Sequence, residues 1–368
     1  MIFYYFFLIS IIIFLILHII FLFGYFRSSN VKISNATLPS VSVIVAARNE
    51  EKIISVCIDS LKNLIYDNKL LEIILVNDNS TDNTKNVMLN ETKGLSQFKV
   101  IDSNNSTGNN LKGKPNAIDT AIIISSGEII LMTDADCIVP PDWVYETVKY
   151  YEGNTRMVCG ITRIKYENSF FAKLQALDWL YLQSLASCSS GIGKILSCIG
   201  NNLSFSKNVY REIGGYRNIN FSVTEDLAMA RAVDANKNYK IKSPVNPGCL
   251  VVTDECKSLK ELYNQKKRWF KGGFDINYLG WIMGFELYVT NFFLLTGYLF
   301  FNFDFYISLV LIKIFSELLI MVPIYIKLKF KNLIYFLPAF QLYFAVYGLL
   351  LPFTFLFGIN IKWKDRKL

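Results

Sequence analysis

An α/β domain with a mostly parallel sheet covered by helices on both faces, flanked by transmembrane helices, is the fold class this sequence predicts. Three observations carry it. Residues 1–26 contain no Asp, Glu, Lys or Arg. From Val41 onward, short β-branched apolar runs alternate with segments of helical periodicity, and residues 278–361 are again dominated by Phe, Leu, Ile and Tyr. Over the 368 residues 52% are hydrophobic and 18% charged, against roughly 25% charged in soluble proteins, which implies membrane spans attached to a globular domain.

The N-terminal segment 1–26 would form a helix of roughly 39 Å at 1.5 Å per residue, longer than a bilayer core requires. It lacks the charged start and small-residue cleavage site of a signal peptide, so it reads as an anchor. His18, in mid-span, reads as a neutral side chain facing a neighbouring helix. Arg27 and Lys32 follow the span and nothing charged precedes it, which places the domain 27–257 in the cytoplasm. Seven cysteines, an odd number without C-x-x-C spacing, suggest neither a disulfide framework nor a zinc site. Asn35-Ala36-Thr37, Asn90-Glu91-Thr92 and Asn104-Asn105-Ser106 match the glycosylation pattern and would be silent there.

Within that domain "VSVIVAAR" (41–48) reads as a strand, "EEKIISVCIDSLKNL" (50–64) as a helix, and "LEIILVND" (71–78) as a strand. "STDNTKNVMLNETK" (80–93) follows as a helix opened by a Ser or Thr cap. "FKVID", "KPNAIDTAIIIS" and "EIILMTDAD" repeat the alternation. Near-continuous apolar strands indicate a parallel sheet buried on both faces, and such sheets bind ligands at the carboxyl ends of their strands. Those ends carry Arg48-Asn49-Glu50, Asn77-Asp78-Asn79-Ser80 and Asp134-Ala135-Asp136. The absence of G-x-G-x-x-G after the first strand, and of G-x-x-x-x-G-K-[ST], disfavours a dinucleotide oxidoreductase and a P-loop. Asp134 and Asp136, one residue apart, are able to point the same way along a strand. Their hard oxygens suit Mg²⁺ or Mn²⁺ holding a diphosphate, the plainer alternative being a solvated turn. Pro140-Pro141 then stops the strand, the second proline suiting the first turn of a helix.

The segments "AARNE", "VNDNSTDNT", "GKPNAI", "DAD", "VTEDLAMA" and "QKKRW" (265–269), in this order across 41–275, resemble those of the family 2 glycosyltransferases. That family has a nucleotide-sugar-binding domain of the GT-A type, and Q-x-x-R-W marks its membrane-integrated branch. The resemblance implies that Glu50 and Asp78 contact the nucleoside end of a UDP-sugar and that Lys114 approaches the donor. Asp134 and Asp136 would hold ribose, metal and diphosphate, with Mg²⁺ or Mn²⁺ as cofactor. Asp226 would be the general base with Glu225 beside it, Arg268 would lie near the diphosphate, and Gln265 and Trp269 would close the acceptor side. Read without the resemblance, Asp226 is a carboxylate capping a helix. The sequence departs from the family's common form at Asn77, where Asp is frequent. "SCIGNNLSFSKNVYREIGGY" (197–216) also matches, with a strand through 201–206 flooring an acceptor pocket and Asn201 and Asn202 as candidate hydroxyl partners.

Segment 258–276 has a Ser cap and a basic, aromatic-studded helical pattern, which describes an amphipathic helix on the inner leaflet. Residues 277–361 hold three candidate spans, 279–301, 304–326 and 333–358. The basic "KLKFKN" (327–332) belongs in the cytoplasm, and three full spans then put the basic tail 362–368 outside, against the positive-inside bias. The net charge of +8 fits an anionic membrane face or phosphate ligands, and no nucleic-acid motif accompanies it. The expected protein is an inverting glycosyltransferase of the bacterial inner (plasma) membrane, its catalytic domain cytoplasmic, moving a sugar from a UDP-hexose to a membrane lipid. The alternatives are a processive synthase that extends and extrudes a glycan, and an inactive scaffold or a transporter suggested by Glu286, Lys313 and Glu317 within the spans.

Overall fold

The structure, a computed structural model, describes residues 2–29, 38–104, 111–167, 169–220, 222–357, 362–363 and 366–367. Lys32, the triplet 35–37, Asn105 and Ser106 of the third triplet and part of the basic tail lie outside the described residues. The chain forms two compact units, one of Val31–Arg163 with Cys198–Asp254 and one of Met1–Asn30, Ile164–Ser197 and Glu255–Leu368.

In chain order the elements are α1 (Ile2–Ser29), β1 (Val41–Ala47), α2 (Ile54–Lys62), β2 (Leu71–Asn77), α3 (Thr84–Glu91), β3 (Phe98–Asp102), α4 (Lys114–Ile124), β4 (Ile129–Asp134), β5 (Cys137–Ile138), α5 (Trp143–Val148), β6 (Thr155–Cys159), β7 (Thr162–Ile164), α6 (Phe170–Gly191), β8 (Leu203–Ser206), α7 (Lys207–Glu212), α8 (Gly215–Asn218), α9 (Glu225–Asp234), β9 (Lys240–Lys242), β10 (Val251–Thr253), α10 (Leu259–Gly272), α11 (Tyr278–Thr296), α12 (Phe303–Lys327) and α13 (Leu337–Leu350).

The first unit is built on a seven-stranded sheet of order β3-β2-β1-β4-β8-β6-β9. β3, β2, β1 and β4 run parallel, whereas β8 pairs antiparallel with both β4 and β6. Helices cover both faces, which is why β1, β2 and β4 are almost wholly apolar. α2 buries Ile54, Cys57, Ile58 and Leu61, the i, i+3, i+4, i+7 stripe of a helix lying on a sheet, in a core with Val43, Val45, Ile73, Leu75, Leu131 and Trp143. Three of the boundaries that differ from expectation have a visible local cause. α3 begins at Thr84 because residues 80–83 are drawn into a loop, with Ser80 N–H bonded to Asn77 Oδ1 (3.1 Å) and Thr81 N–H to Asn49 Oδ1 (2.9 Å). β8 begins at Leu203, since Gly200–Asn202 form a 3₁₀ turn. Asp142 takes the position before α5, so Pro141 lies outside that helix.

The second unit contains α1, α6 and α10–α13. Among the described residues four of its segments are long and apolar enough to cross a membrane, Phe3–Ser28, Tyr278–Leu299, Phe303–Lys327 and Leu333–Thr354. α13 itself is short, flanked by 3₁₀ turns at Leu333–Phe336 and Leu351–Phe357. The 22-residue α6, unforeseen in the sequence, packs along α1. Gly24 and Gly191 make that approach possible, because a Cβ on either would lie 1.9 Å from a backbone oxygen of the other helix. His18 faces α6, with Nε2 3.1 Å from Tyr181 Oη. The charges inside the spans are buried against partners. Lys313 Nζ is 2.6 Å from both Glu317 Oε1 and Gln341 Oε1, Gln341 Nε2 donates to Glu317 Oε2 (2.5 Å), and Ser10 donates to Glu286.

Candidate active site

The acids come from three strand ends brought level by parallel register. Ala46 lies opposite Asp134, and Ala47 opposite Asn77, so Glu50, Asp78 and Asp136 all follow strands that leave the sheet at one edge. Two asparagines turn the chain there with positive φ, Asn49 at 53° and Asn79 at 52°, a conformation Asn tolerates better than most residues. The two loops are fastened together. Arg48 Nη1 donates to Asp78 O (2.9 Å) and Asn79 O (2.8 Å), and Glu50 N–H donates to Thr84 Oγ1 (2.8 Å). Asp78 is buried and accepts from Ser103 Oγ at 3.2 Å. At the position where the family often has Asp, the Asn77 amide donates to Asp102 Oδ1 at 2.8 Å. A carboxylate at 77 would instead face a second carboxylate, so the departure has a local electrostatic reason.

The next group is gathered around a cation. Lys114 opens α4 after Gly113, and its Nζ stands 2.6 Å from Asp134 Oδ1 and 3.3 Å from Glu225 Oε1. Burial opposes its charge, but Asp134, Glu225 and Asp226 outweigh burial and hold the ammonium well above its ordinary range. The Asp136 carboxyl is pushed up to about 6, first by burial and then by the neighbouring Asp134 charge. Behind the pair stand two thiols, Cys57 donating to Asp134 O and Cys137 to Asp136 Oδ1, each at 3.5 Å. Burial pushes both thiols up, so they are neutral.

Glu225 and Asp226 form the first turn of α9, whose N-cap is Thr224 rather than Asp226. Asp226 Oδ1 accepts from Leu227 N–H at 2.8 Å. A Cβ at Gly200 would lie 3.2 Å from Asp226 Cβ and Oδ2, so glycine leaves that carboxylate its room. Tyr216, which sequence reasoning did not single out, is 3% exposed, with its hydroxyl buried and unbonded among the described residues. Burial and then the charge of Glu225 push its phenol up, which sets the ring beside the acids. An aromatic after two glycines was the only signal in the sequence.

The two asparagines do not behave as expected. Asn202 is buried and its amide is fully engaged, accepting from Trp143 Nε1 (3.0 Å) and donating to Ile161 O and Cys249 O (both 2.8 Å). It braces the wall and offers nothing to a hydroxyl. Asn201 is also buried, its Oδ1 accepting from Thr162 Oγ1 at 2.8 Å. Gln265, Arg268 and Trp269 lie on α10 in the other unit. There Gln265 Oε1 and Arg268 Nε are buried without hydrogen-bond partners among the described residues, and the Trp269 ring packs 5.4 Å from that of Trp179.

Among the described residues no three His, Cys, Asp or Glu side chains gather as a metal cage. Asp134 and Asp136 are a hard-oxygen pair whose mutual repulsion is relieved by Lys114. That donor set fits Mg²⁺ or Mn²⁺, which take most of their remaining ligands from water and phosphate.

The model of the glycosyl transferase family 2 matches residues 42–225. Poly-beta-1,6-N-acetyl-D-glucosamine synthase of Staphylococcus epidermidis is 26% identical over 253 residues, 68% of this chain and 58% of that protein. Beta-monoglucosyldiacylglycerol synthase of Nostoc is 28% identical over 247 residues, 65% of this chain and 50% of that protein. The chain thus spans 50–58% of the length of these curated relatives. A mannosyltransferase of Pyrobaculum calidifontis, solved in complex with GDP-Man and Mn²⁺, has the same fold, with a TM-score of 0.59 at 17% identity over 93% of this chain and 98% of that one.

Proposed function

This chain belongs to glycosyl transferase family 2, and on that premise we propose that it moves a hexose from a UDP-hexose to the hydroxyl of a membrane lipid, with inversion. The observation that carries the reading is the Lys114 bridge, one ammonium joining the strand-end carboxylate Asp134 to Glu225 of the helix that bears Asp226. Asp226 accepts the proton of the attacking hydroxyl, a role worth on the order of 10²- to 10⁴-fold. Glu225 orients Lys114, which faces the diphosphate. Asp134 and Asp136 hold Mg²⁺ or Mn²⁺, and the ion supplies neutralisation of the departing nucleotide diphosphate. Glu50 and Asp78, on the fastened loops, receive the nucleoside. Arg268 would bind the diphosphate and Gln265 the acceptor; their Nε and Oε1 atoms, buried and unbonded among the described residues, favour that role, since buried polar atoms are normally satisfied, whereas Trp269 packs on Trp179 of its own unit.

A lipid acceptor is preferred to a growing glycan because the charged groups of the spans bind one another. Glu317 and Lys313 are closed into one cluster with Gln341, and Glu286 is bonded by Ser10. A polymer channel needs polar groups turned toward a lumen, and a transporter needs ionisable groups along a path. The positive-inside bias supports a cytoplasmic catalytic domain.

The test is transfer of label from UDP-[¹⁴C]glucose by membranes carrying the protein, with and without chelator. Label in the organic extract that depends on Mg²⁺ or Mn²⁺ is expected. High-molecular-weight water-soluble label would replace the lipid reading with the synthase, and transfer that persists in chelator would remove the metal.

A further inference from the structure

One face of α6 receives α10. Gln175, fully buried, grips the backbone of Cys256 just ahead of that helix, its Nε2 donating to Cys256 O and its Oε1 accepting Cys256 N–H, both at 3.0 Å. Asp178, one turn on and also fully buried, accepts from Lys266 Nζ on one oxygen and from Tyr347 Oη of α13 on the other, the latter at 2.5 Å. The Lys266 ammonium lies 4.5 Å from the Trp269 ring centroid and 5.0 Å from that of Tyr347. Trp269 packs on Trp179. Gln175, Asp178 and Trp179 share one helical face by their spacing of three and four.

The division of labour along α10 follows from the same spacing. Lys266 and Trp269 share the face mounted on α6. Gln265 and Arg268, also three apart, share a face whose Oε1 and Nε atoms are buried without partners. A charge pair this buried holds position firmly, because removing either partner strands the other without compensation.

We propose that Asp178 is a positioning residue, clamped between Lys266 and Tyr347, that sets the seat of α10 and so the presentation of Gln265 and Arg268 to substrate. The inference rests on the reading above that those two side chains meet substrate, and its experiment separates the two. In membranes carrying the full chain, maleimide labelling of Cys256 is followed by peptide mass spectrometry for the wild type, Asp178→Asn, Lys266→Met and Asp178→Glu. Faster labelling in the first two variants, with Cys57 of the sheet core still protected, reports an unseated α10 in a folded protein. Transfer from UDP-glucose to dioleoylglycerol in phosphatidylcholine vesicles should fall roughly 10²-fold in kcat, the scale of an ångström-level misplacement, with KM for UDP-glucose changed less than about threefold. The double variant Asp178→Asn/Lys266→Met should fall no further than either single one, since the two act as a unit, and Asp178→Glu should recover part of the rate. Unchanged Cys256 labelling in both single variants, wild-type kcat in Asp178→Asn, or additive losses in the double variant would each overturn the proposal. If the wild type transfers nothing, the labelling arm still decides the seat, and the failure falls on the substrate reading alone.

Discussion

Asp226→Asn separates two accounts of one carboxylate. As a charge in the first turn of α9, Asp226 would contribute about 0.3–1 kcal/mol through the helix dipole. As the base, it would lower the barrier by roughly 2.7–5.4 kcal/mol, two to four decades at 1.36 kcal/mol each. The structure keeps the two effects apart. Asparagine has nearly the same size, so it fits over Gly200, where the clearance to a Cβ would be 3.2 Å, and its Oδ1 still accepts Leu227 N–H. The fold should therefore lose at most about 1 kcal/mol, a shift of roughly 2–4 °C in Tm. Initial rates of label transfer from UDP-[¹⁴C]glucose, measured on matched amounts of solubilised protein, should fall by 10² or more, while UDP binding by calorimetry stays within about twofold. A rate within tenfold of wild type refutes the role of base. A loss of UDP binding in step with rate shows instead that the residue builds the donor site.

Lys114→Met removes the cation between Asp134 and Glu225, and transfer should drop roughly 10²–10³-fold, as for loss of one preorganised electrostatic group, with weaker UDP binding by calorimetry. Tyr216→Phe deletes a buried hydroxyl that has no partner among the described residues, so Tm should hold or rise, because an unsatisfied group costs stability. If that hydroxyl meets substrate, the rate should fall about 2- to 12-fold, one neutral hydrogen bond's worth; an unchanged rate assigns it to packing alone. Burial pushes the Glu72 carboxyl up, but bonds from Lys99, Ser126 and Ser42 outweigh burial and hold it at about 2, below its ordinary 4.5. A lowered folded pKa stabilises above pH 4.5 and is lost as pH falls from 4.5 toward 2, a contribution of about 3 kcal/mol. Thermal melts should accordingly lose Tm more steeply across that window in the wild type than in Glu72→Gln.

What the sequence made legible follows from where polarity changes abruptly. Apart from Ser42, Glu72 and Thr133, β1, β2 and β4 are apolar until the chain reaches Arg48, Asn77 and Asp134, and parallel register alone brings those ends to one edge. α6 was invisible for the opposite reason. It buries Gln175, Asp178, Ser184 and Ser187 as completely as Leu177, and these polar residues, Gln175 and Asp178 satisfied by partners far away in the chain and Ser184 by the Leu180 carbonyl of its own helix, erased the amphipathic stripe that periodicity detects. Asn202 misled in the same way, since its sequence neighbourhood suggests a pocket while its amide is fixed by Trp143 and by two carbonyls more than 40 positions away. The start of α3 was lost to side chains of Asn49 and Asn77 that compete for the backbone of 80–83, a choice decided by tertiary contact rather than by capping propensity.

On the proposed function, the Lys114 bridge would also link the donor to the base. Asp134 ends β4 and Glu225 opens α9, and the same ammonium is bonded to both. On the proposed function, a nucleotide diphosphate arriving with a divalent cation would bring two competing charges to this point, a metal for Asp134 and phosphate oxygens for Lys114. Each change would weaken the Lys114–Asp134 contact and leave Lys114 shared between phosphate and Glu225. The arrangement of α9, and of Asp226 one residue along it, would thereby be tied to donor occupancy through a single side chain. Lys114→Met should then not merely slow transfer but remove the dependence of base placement on the donor, so that hydrogen exchange at the α9 amides becomes insensitive to added UDP and Mn²⁺. Persistence of the wild-type donor effect on α9 in that variant would show that the coupling runs through other residues.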